Sequence, residues 1–109
     1  MTDDVAGISG GGAGDEDDKA RAQLAACRTE IEEIDRRLIG LLAERVSLGR
    51  RTATIKRAAG LPILDPQREA EVIRRAVATA RQHGLPVEAV REVFWHVVGL
   101  SRRAQEESA

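Results

Sequence analysis

The chain has 109 residues, enough for one small domain, and its 17 Lys and Arg against 18 Asp and Glu leave a formal net charge of -1. That balance excludes a nucleic-acid binder relying on bulk positive charge, and with Phe94 and Trp95 as the only aromatics there is no platform for stacking bases. One cysteine, Cys27, excludes an intrachain disulfide framework and fits a reducing, cytoplasmic setting, and no stretch is long and apolar enough to span a membrane.

Residues 1–18 are rich in Gly and Asp, as in Gly10-Gly11-Gly12 and Asp15-Glu16-Asp17-Asp18. They lack the positive start and apolar run of a secretory signal. Their composition predicts a disordered acidic tail, inert or regulatory, ahead of a folded domain at 19–109.

From about Lys19 to Ala58 there is no proline, and glycine occurs only at Gly40 and Gly49. Leu24, Cys27, Ile31, Ile34, Leu38 and Leu41 step by three and four, the spacing of an apolar stripe on a helix. The same steps pass through 45, 48, 52 and 55, so Arg45 falls inside the stripe. Gly60 and Pro62 stop the helix. Forty residues would make it about 60 Å long, too long to be covered by its own chain, whose radius of gyration when compact would be near ~13 Å. The stripe needs a partner, and a second copy is the simplest one.

Asp65-Pro66 starts a second helix, with Asp as N-cap and Pro at the first helical position. Val72, Ile73, Ala76, Val77 and Ala80 form its apolar face. Gly84 ends it, and Leu85-Pro86 makes the turn. A third helix begins near Val87. Its face runs through Val90, Phe94 and Val97, then turns polar at Ser101 and Gln105, which lie one helical turn apart. No strand pattern or internal repeat is present. The fold class expected is all-α, three helices with a very long first one, in an intertwined homodimer.

The polar residues within these faces carry the functional argument. Arg45 and Lys56, eleven residues apart, point to nearly the same side of the first helix, about 16 Å apart along its axis. Two long side chains leaning together can grip one small molecule. Arg28 lies about 25 Å from Arg45 on another side, so only a second, antiparallel copy could bring it to the same pocket. A charge inside an apolar seam costs stability unless it is paired or meets a ligand. For Arg45 an ion pair with a partner helix, or snorkelling to water, stays open beside a ligand role. Ser101 and Gln105 alone also fit a frayed helix end, and Asp65-Pro66-Gln67-Arg68-Glu69 alone fits an ordinary capped helix start. Together they could line one cavity suited to a dianion that also carries a neutral oxygen and a hydroxyl. Cys27, His83 and His96 lack zinc-ligand spacing. Cys27 reads as a small packing residue, His83 as solvated and His96 as structural. No nucleotide-binding Gly loop is present. An enzyme with this set would work by positioning and fixed charge, not by a bond to the protein.

These residues carry a family resemblance. Cys27-Arg28, Ile34-Asp35, Leu41-Leu42-Ala43-Glu44-Arg45, Ile55-Lys56, Asp65-Pro66-Gln67-Arg68-Glu69 and Ser101 through Gln105 occur in order from about Leu24 to Gln105. The chain thereby resembles the all-helical chorismate mutases, the AroQ type. The resemblance implies an intertwined dimer with two shared active sites, and the rearrangement of chorismate to prephenate in phenylalanine and tyrosine biosynthesis, without cofactor or metal. It implies that Arg45 and the other subunit's Arg28 hold the two carboxylates, with Ser101 helping. Lys56 and Gln105 would donate to the ether oxygen. Glu69, with backbone near Asp65, would receive the ring hydroxyl, and Arg68 would add positive potential. No dehydratase or dehydrogenase domain is expected after Ala109, and docking onto another shikimate-pathway enzyme stays possible. The rivals on the same scaffold are an isochorismate-pyruvate lyase, disfavoured by the carboxylate of Glu69, and a 4-amino-4-deoxychorismate mutase. A helical dimerisation module with replaceable cations is the non-enzyme alternative. A helix-turn-helix DNA binder fits neither the charge balance nor the long first helix.

Overall fold

A computed structural model of the chain describes the backbone of residues 2–107 and the side chains of residues 14–107. Three α-helices make up the fold: α1 (Thr2–Ala58), α2 (Pro66–Gln82) and α3 (Val87–Glu107). Among the described residues there is no strand. The chain divides into two units, residues 1–39 and 40–109, and α1 contributes to both.

In the first unit the backbone is helical from Thr2, not from about Lys19 as the composition suggests. No proline interrupts residues 2–39. Each glycine costs only about 1 kcal/mol against Ala, which weakens a helix without breaking it. Asp15 to Asp18 therefore lie in helical backbone. The side chains of residues 1–13 lie outside the described residues, and disorder of the 1–18 extension stands as an expectation. Leu24, Ile31, Ile34 and Leu38, the apolar stripe, are all about half exposed, and Cys27, expected to pack, is exposed as well.

In the second unit, the ends of the helices are fixed by the residues that the sequence singles out. α1 closes with the Leu61 N–H donating to the Lys56 carbonyl at 2.8 Å and the Gly60 N–H to the Arg57 carbonyl at 3.1 Å. This paired pattern needs a left-handed residue, which Gly60 supplies at φ 70°. α2 closes in the same way: Leu85 N–H donates to Ala80 and Gly84 N–H to Arg81, with Gly84 at φ 67°. At its start, Asp65 Oδ1 accepts from the Arg68 N–H at 3.0 Å, and Pro66 takes the first helical position, where no N–H is required.

The core of this unit is small. It comprises Ala53 from α1, Ile73, Ala76, Val77 and Ala80 from α2, and Val98 and Ala104 from α3. The α2 residues fall at helical spacing on one face, which packs against α3 across the 83–86 turn as a helical hairpin. Among the described residues no large side chain is fully buried, while Leu41, Leu48, Ile55, Leu61, Leu64, Leu85, Val93, Trp95 and Leu100 stay exposed. Ser101 is buried and helical backbone runs on to Glu107, so the polar end of α3 is an ordered wall and not a frayed end.

Candidate active site

One pocket of about 310 Å³ opens in the second unit, at the small end of the range for ligand sites. Helix α1 contributes Arg45, Leu48, Gly49, Thr52 and Lys56, which share one face because they step by three, four or one. The start of α2 contributes Asp65, Arg68, Glu69 and Val72. Helix α3 contributes Val98, Ser101, Arg102 and Gln105. Seven residues named from the sequence thus converge: Arg45, Lys56, Asp65, Arg68, Glu69, Ser101 and Gln105. Arg28 does not line this pocket; it lies exposed in the first unit.

The two cations on α1 are held by neutral oxygens. Half-buried Arg45 donates through Nη1 to the hydroxyl of Ser101. Half-buried Lys56 donates through Nζ to the Ile63 carbonyl at 3.2 Å, which leaves protons on the ammonium free to point elsewhere. Among the described residues no carboxylate forms an ion pair with either. Among the described residues, then, an ion pair does not account for Arg45, and both charges remain available to an anion.

Elsewhere in the pocket the charges are matched. Arg68 reaches Glu71 at 3.4 Å on an exposed surface, a contact worth little. Arg102 grips Glu69 with two hydrogen bonds, Nε to Oε2 at 3.0 Å and Nη2 to Oε1 at 2.5 Å, joining α3 to α2. These bonds push the Arg102 pKa above its ordinary value; the charge of Glu69 and, least, that of Glu106 add to this, and burial opposes it. Four cationic side chains and two carboxylates line the pocket, a surplus of two positive charges.

Gly49 and Arg102 are pocket residues that the sequence reading missed. A Cβ at Gly49 would meet Gln105 Nε2 at 3.4 Å and Ser101 Cβ at 3.7 Å, so the absent side chain gives the Gln105 carboxamide its place beside α1. The position of Gly49, four residues after Arg45 on the same face, was the available signal. Arg102 sits in an Arg102-Arg103 pair that reads as a solvated face. His83 caps α2 and is exposed, as expected, and His96 is exposed and lines no wall of this pocket. Among the described residues no group of three or more His, Cys, Asp or Glu is arranged to hold a metal.

A second cavity of about 390 Å³ lies between α2 and α3 with Arg45 at its edge, and its lining is mostly apolar, including Val72, Ala76, Leu85, Val90 and Phe94. Its polar lining is Arg45, Arg75, Thr79 and His83, without the carboxylates of the first.

Comparison with known proteins gives the family. The family described as chorismate mutase type II matches residues 27–106. A chorismate mutase of Methanocaldococcus jannaschii is 32% identical over 85 residues, 78% of this chain and 86% of that protein. The T-protein of Enterobacter agglomerans is 34% identical over 77 residues, 71% of this chain but 21% of that longer protein. A 4-amino-4-deoxychorismate mutase of Streptomyces venezuelae is 35% identical over 63 residues, 58% of this chain and 61% of that protein. With the family match covering most of its length, and a relative matched over most of both chains, this chain belongs to the type II chorismate mutase family and is an enzyme of that class.

Proposed function

We propose that the chain rearranges chorismate to prephenate in a site shared between two copies. The observation that carries this reading is the convergence of Arg45, Lys56, Asp65, Arg68, Glu69, Ser101 and Gln105 from all three helices on one pocket with a surplus of two positive charges. Chorismate is a dianion with an ether oxygen and a ring hydroxyl, so one carboxylate, the ether oxygen and the hydroxyl have counterparts in that wall, and the second carboxylate is left for a partner subunit.

The reaction is a cyclic six-electron shift. The ether C–O bond breaks as a C–C bond forms, and no proton, hydride or co-reactant enters the balance. The protein therefore needs to fold the substrate into its reactive shape and stabilise charge that grows on the ether oxygen. Arg45, steadied by Ser101, takes one carboxylate, and Arg28 of the partner subunit takes the other. Lys56 and Gln105 donate to the ether oxygen. Their bonds strengthen as charge develops, so they raise kcat and not only affinity. Glu69 and the backbone at Asp65 receive the ring hydroxyl, while Arg68 adds positive potential at that end.

The dimer follows from the same accounting. Among the described residues the chain buries mainly alanines and valines and leaves fourteen large apolar side chains exposed, and it gains by covering them with a second copy. Each fully buried Leu or Ile is worth about 1.5–3 kcal/mol. The folded enzyme is residues 19–109, with 1–18 an acidic extension, and it works in the cytoplasm, where a lone cysteine stays reduced. Among the described residues no helix is long and apolar enough to cross a membrane.

The test is a cofactor-free assay of the purified chain, following chorismate loss and identifying the product, with isochorismate in parallel. Prephenate from chorismate is expected. Pyruvate and salicylate from isochorismate alone would assign the site to lyase chemistry. A folded dimer that leaves both untouched would refute the reading.

A further inference from the structure

Arg102 is the one pocket cation given no role above, and its place is specific. Its guanidinium occupies both oxygens of Glu69, and the two side chains are only 36% and 23% exposed. A carboxylate has about four lone-pair sites, so Glu69 can still accept a hydrogen bond from a substrate. Its charge is another matter. A carboxylate closed in a two-point pair with a guanidinium presents an acceptor with little net negative potential. The Arg102 pKa is pushed upward by this pair, so the guanidinium stays charged at any pH where the protein works.

We propose that Arg102 determines specificity: by cancelling the charge of Glu69 it makes that end of the pocket an acceptor for a neutral hydroxyl and a poor site for an ammonium, so that chorismate is selected over 4-amino-4-deoxychorismate. This rests on the chorismate reading of the same pocket. The two substrates differ at the group that Glu69 receives. The analogue carries an allylic amine there, protonated at neutral pH, and it would enter a pocket that already holds Arg45, Lys56, Arg68 and Arg102. Without Arg102, Glu69 would become an unpaired carboxylate, the natural partner of an ammonium. Discrimination here comes from a repulsive element as well as an attractive one.

The experiment measures kcat/KM for both substrates with wild type, Arg102→Leu and Arg102→Lys, with circular dichroism as the check on folding. Wild type is expected to prefer chorismate. Arg102→Leu removes the charge at similar bulk, and the preference should fall by about tenfold or more. Arg102→Lys keeps the charge but not the fork, and its preference should stay within about threefold of wild type. A purely structural role would lower both substrates alike, so an unchanged ratio in a folded Arg102→Leu overturns the inference. A wild type that prefers the amine overturns it too. Turnover of chorismate with an unchanged ratio leaves the chorismate reading standing, whereas a folded wild type that turns over neither substrate sinks both. If Arg102→Leu does not fold, the pH dependence of wild type decides. As pH rises and the substrate amine loses its proton, the preference for chorismate should narrow, and a flat preference across that range overturns the inference.

Discussion

Arg45 donates a hydrogen bond to the hydroxyl of Ser101 across 56 positions of sequence, which ties α1 to α3 inside the pocket. The partner is neutral, so the bond fixes where the guanidinium points without spending its charge. Lys56 is treated the same way by the Ile63 carbonyl. Both cations are aimed and left unneutralised.

Arg45→Ala and Lys56→Ala should each lower kcat/KM for chorismate by about a hundredfold or more, about 3 kcal/mol of barrier, with circular dichroism and sedimentation unchanged. For Lys56 the loss should fall mainly on kcat. Near-normal turnover in either variant would remove that residue from the mechanism.

Ser101→Ala is a gentler test of the same relationship. It removes the acceptor that steadies Arg45 and leaves a small buried side chain in place. A fall of about tenfold in kcat/KM is expected, with stability changed by about 1 kcal/mol or less. Full activity in Ser101→Ala would show that Arg45 finds its position without help.

Gly49 offers a prediction in which stability and activity move apart. Alanine there meets Gln105 Nε2 at an ordinary contact distance and should raise helix stability by up to about 1 kcal/mol, read as a higher Tm. Valine adds bulk where the Gln105 carboxamide sits, and kcat/KM should drop by about tenfold or more. If Gly49→Val keeps full activity, Gln105 does not need the place that the glycine leaves for it.

Asp65→Ala removes the side-chain acceptor from the Arg68 N–H at the start of α2. About 1 kcal/mol of stability should be lost in denaturant melts. The same change loosens the turn that carries Arg68 and Glu69 into the pocket, so kcat/KM should fall along with it. A stability loss with unchanged kinetics would confine Asp65 to a capping role.

A shared site can be tested by complementation. Arg28→Ala and Lys56→Ala chains should each be nearly inactive alone. Unfolded together and refolded as a mixture, about half the dimers are mixed and each has one intact site, so about a quarter of wild-type activity should return. No recovery, in a mixture shown to exchange subunits, would place Arg28 in its own chain's site or outside any site.

Much of this site was legible because helices convert spacing into direction. Arg45 and Lys56 share a face, as do Ser101 and Gln105, and each pair reaches the same pocket. The stops at Gly60 and Gly84 and the start at Asp65-Pro66 were readable because backbone conformation demands those residue types there. Arg102 was not readable. Which of two adjacent arginines turns toward α2 depends on how α2 and α3 pack, and one sequence carries no direct record of that. The start of α1 was misread for a different reason. Glycine and aspartate lower helix propensity without forbidding the helix, and only a proline would have marked a firm boundary.

Lys56 is closed at both ends by the segment that follows it: its backbone carbonyl accepts from the Leu61 N–H and its ammonium donates to the Ile63 carbonyl. Connections between helices are usually where a family drifts in length at little cost. Here the length of the connection sets where the Ile63 carbonyl meets the Lys56 ammonium. An insertion between Gly60 and Asp65 would leave the helical walls of the pocket as they are and still move Ile63, whose carbonyl braces Lys56, so under the proposed role of Lys56 length variation in this turn should alter turnover.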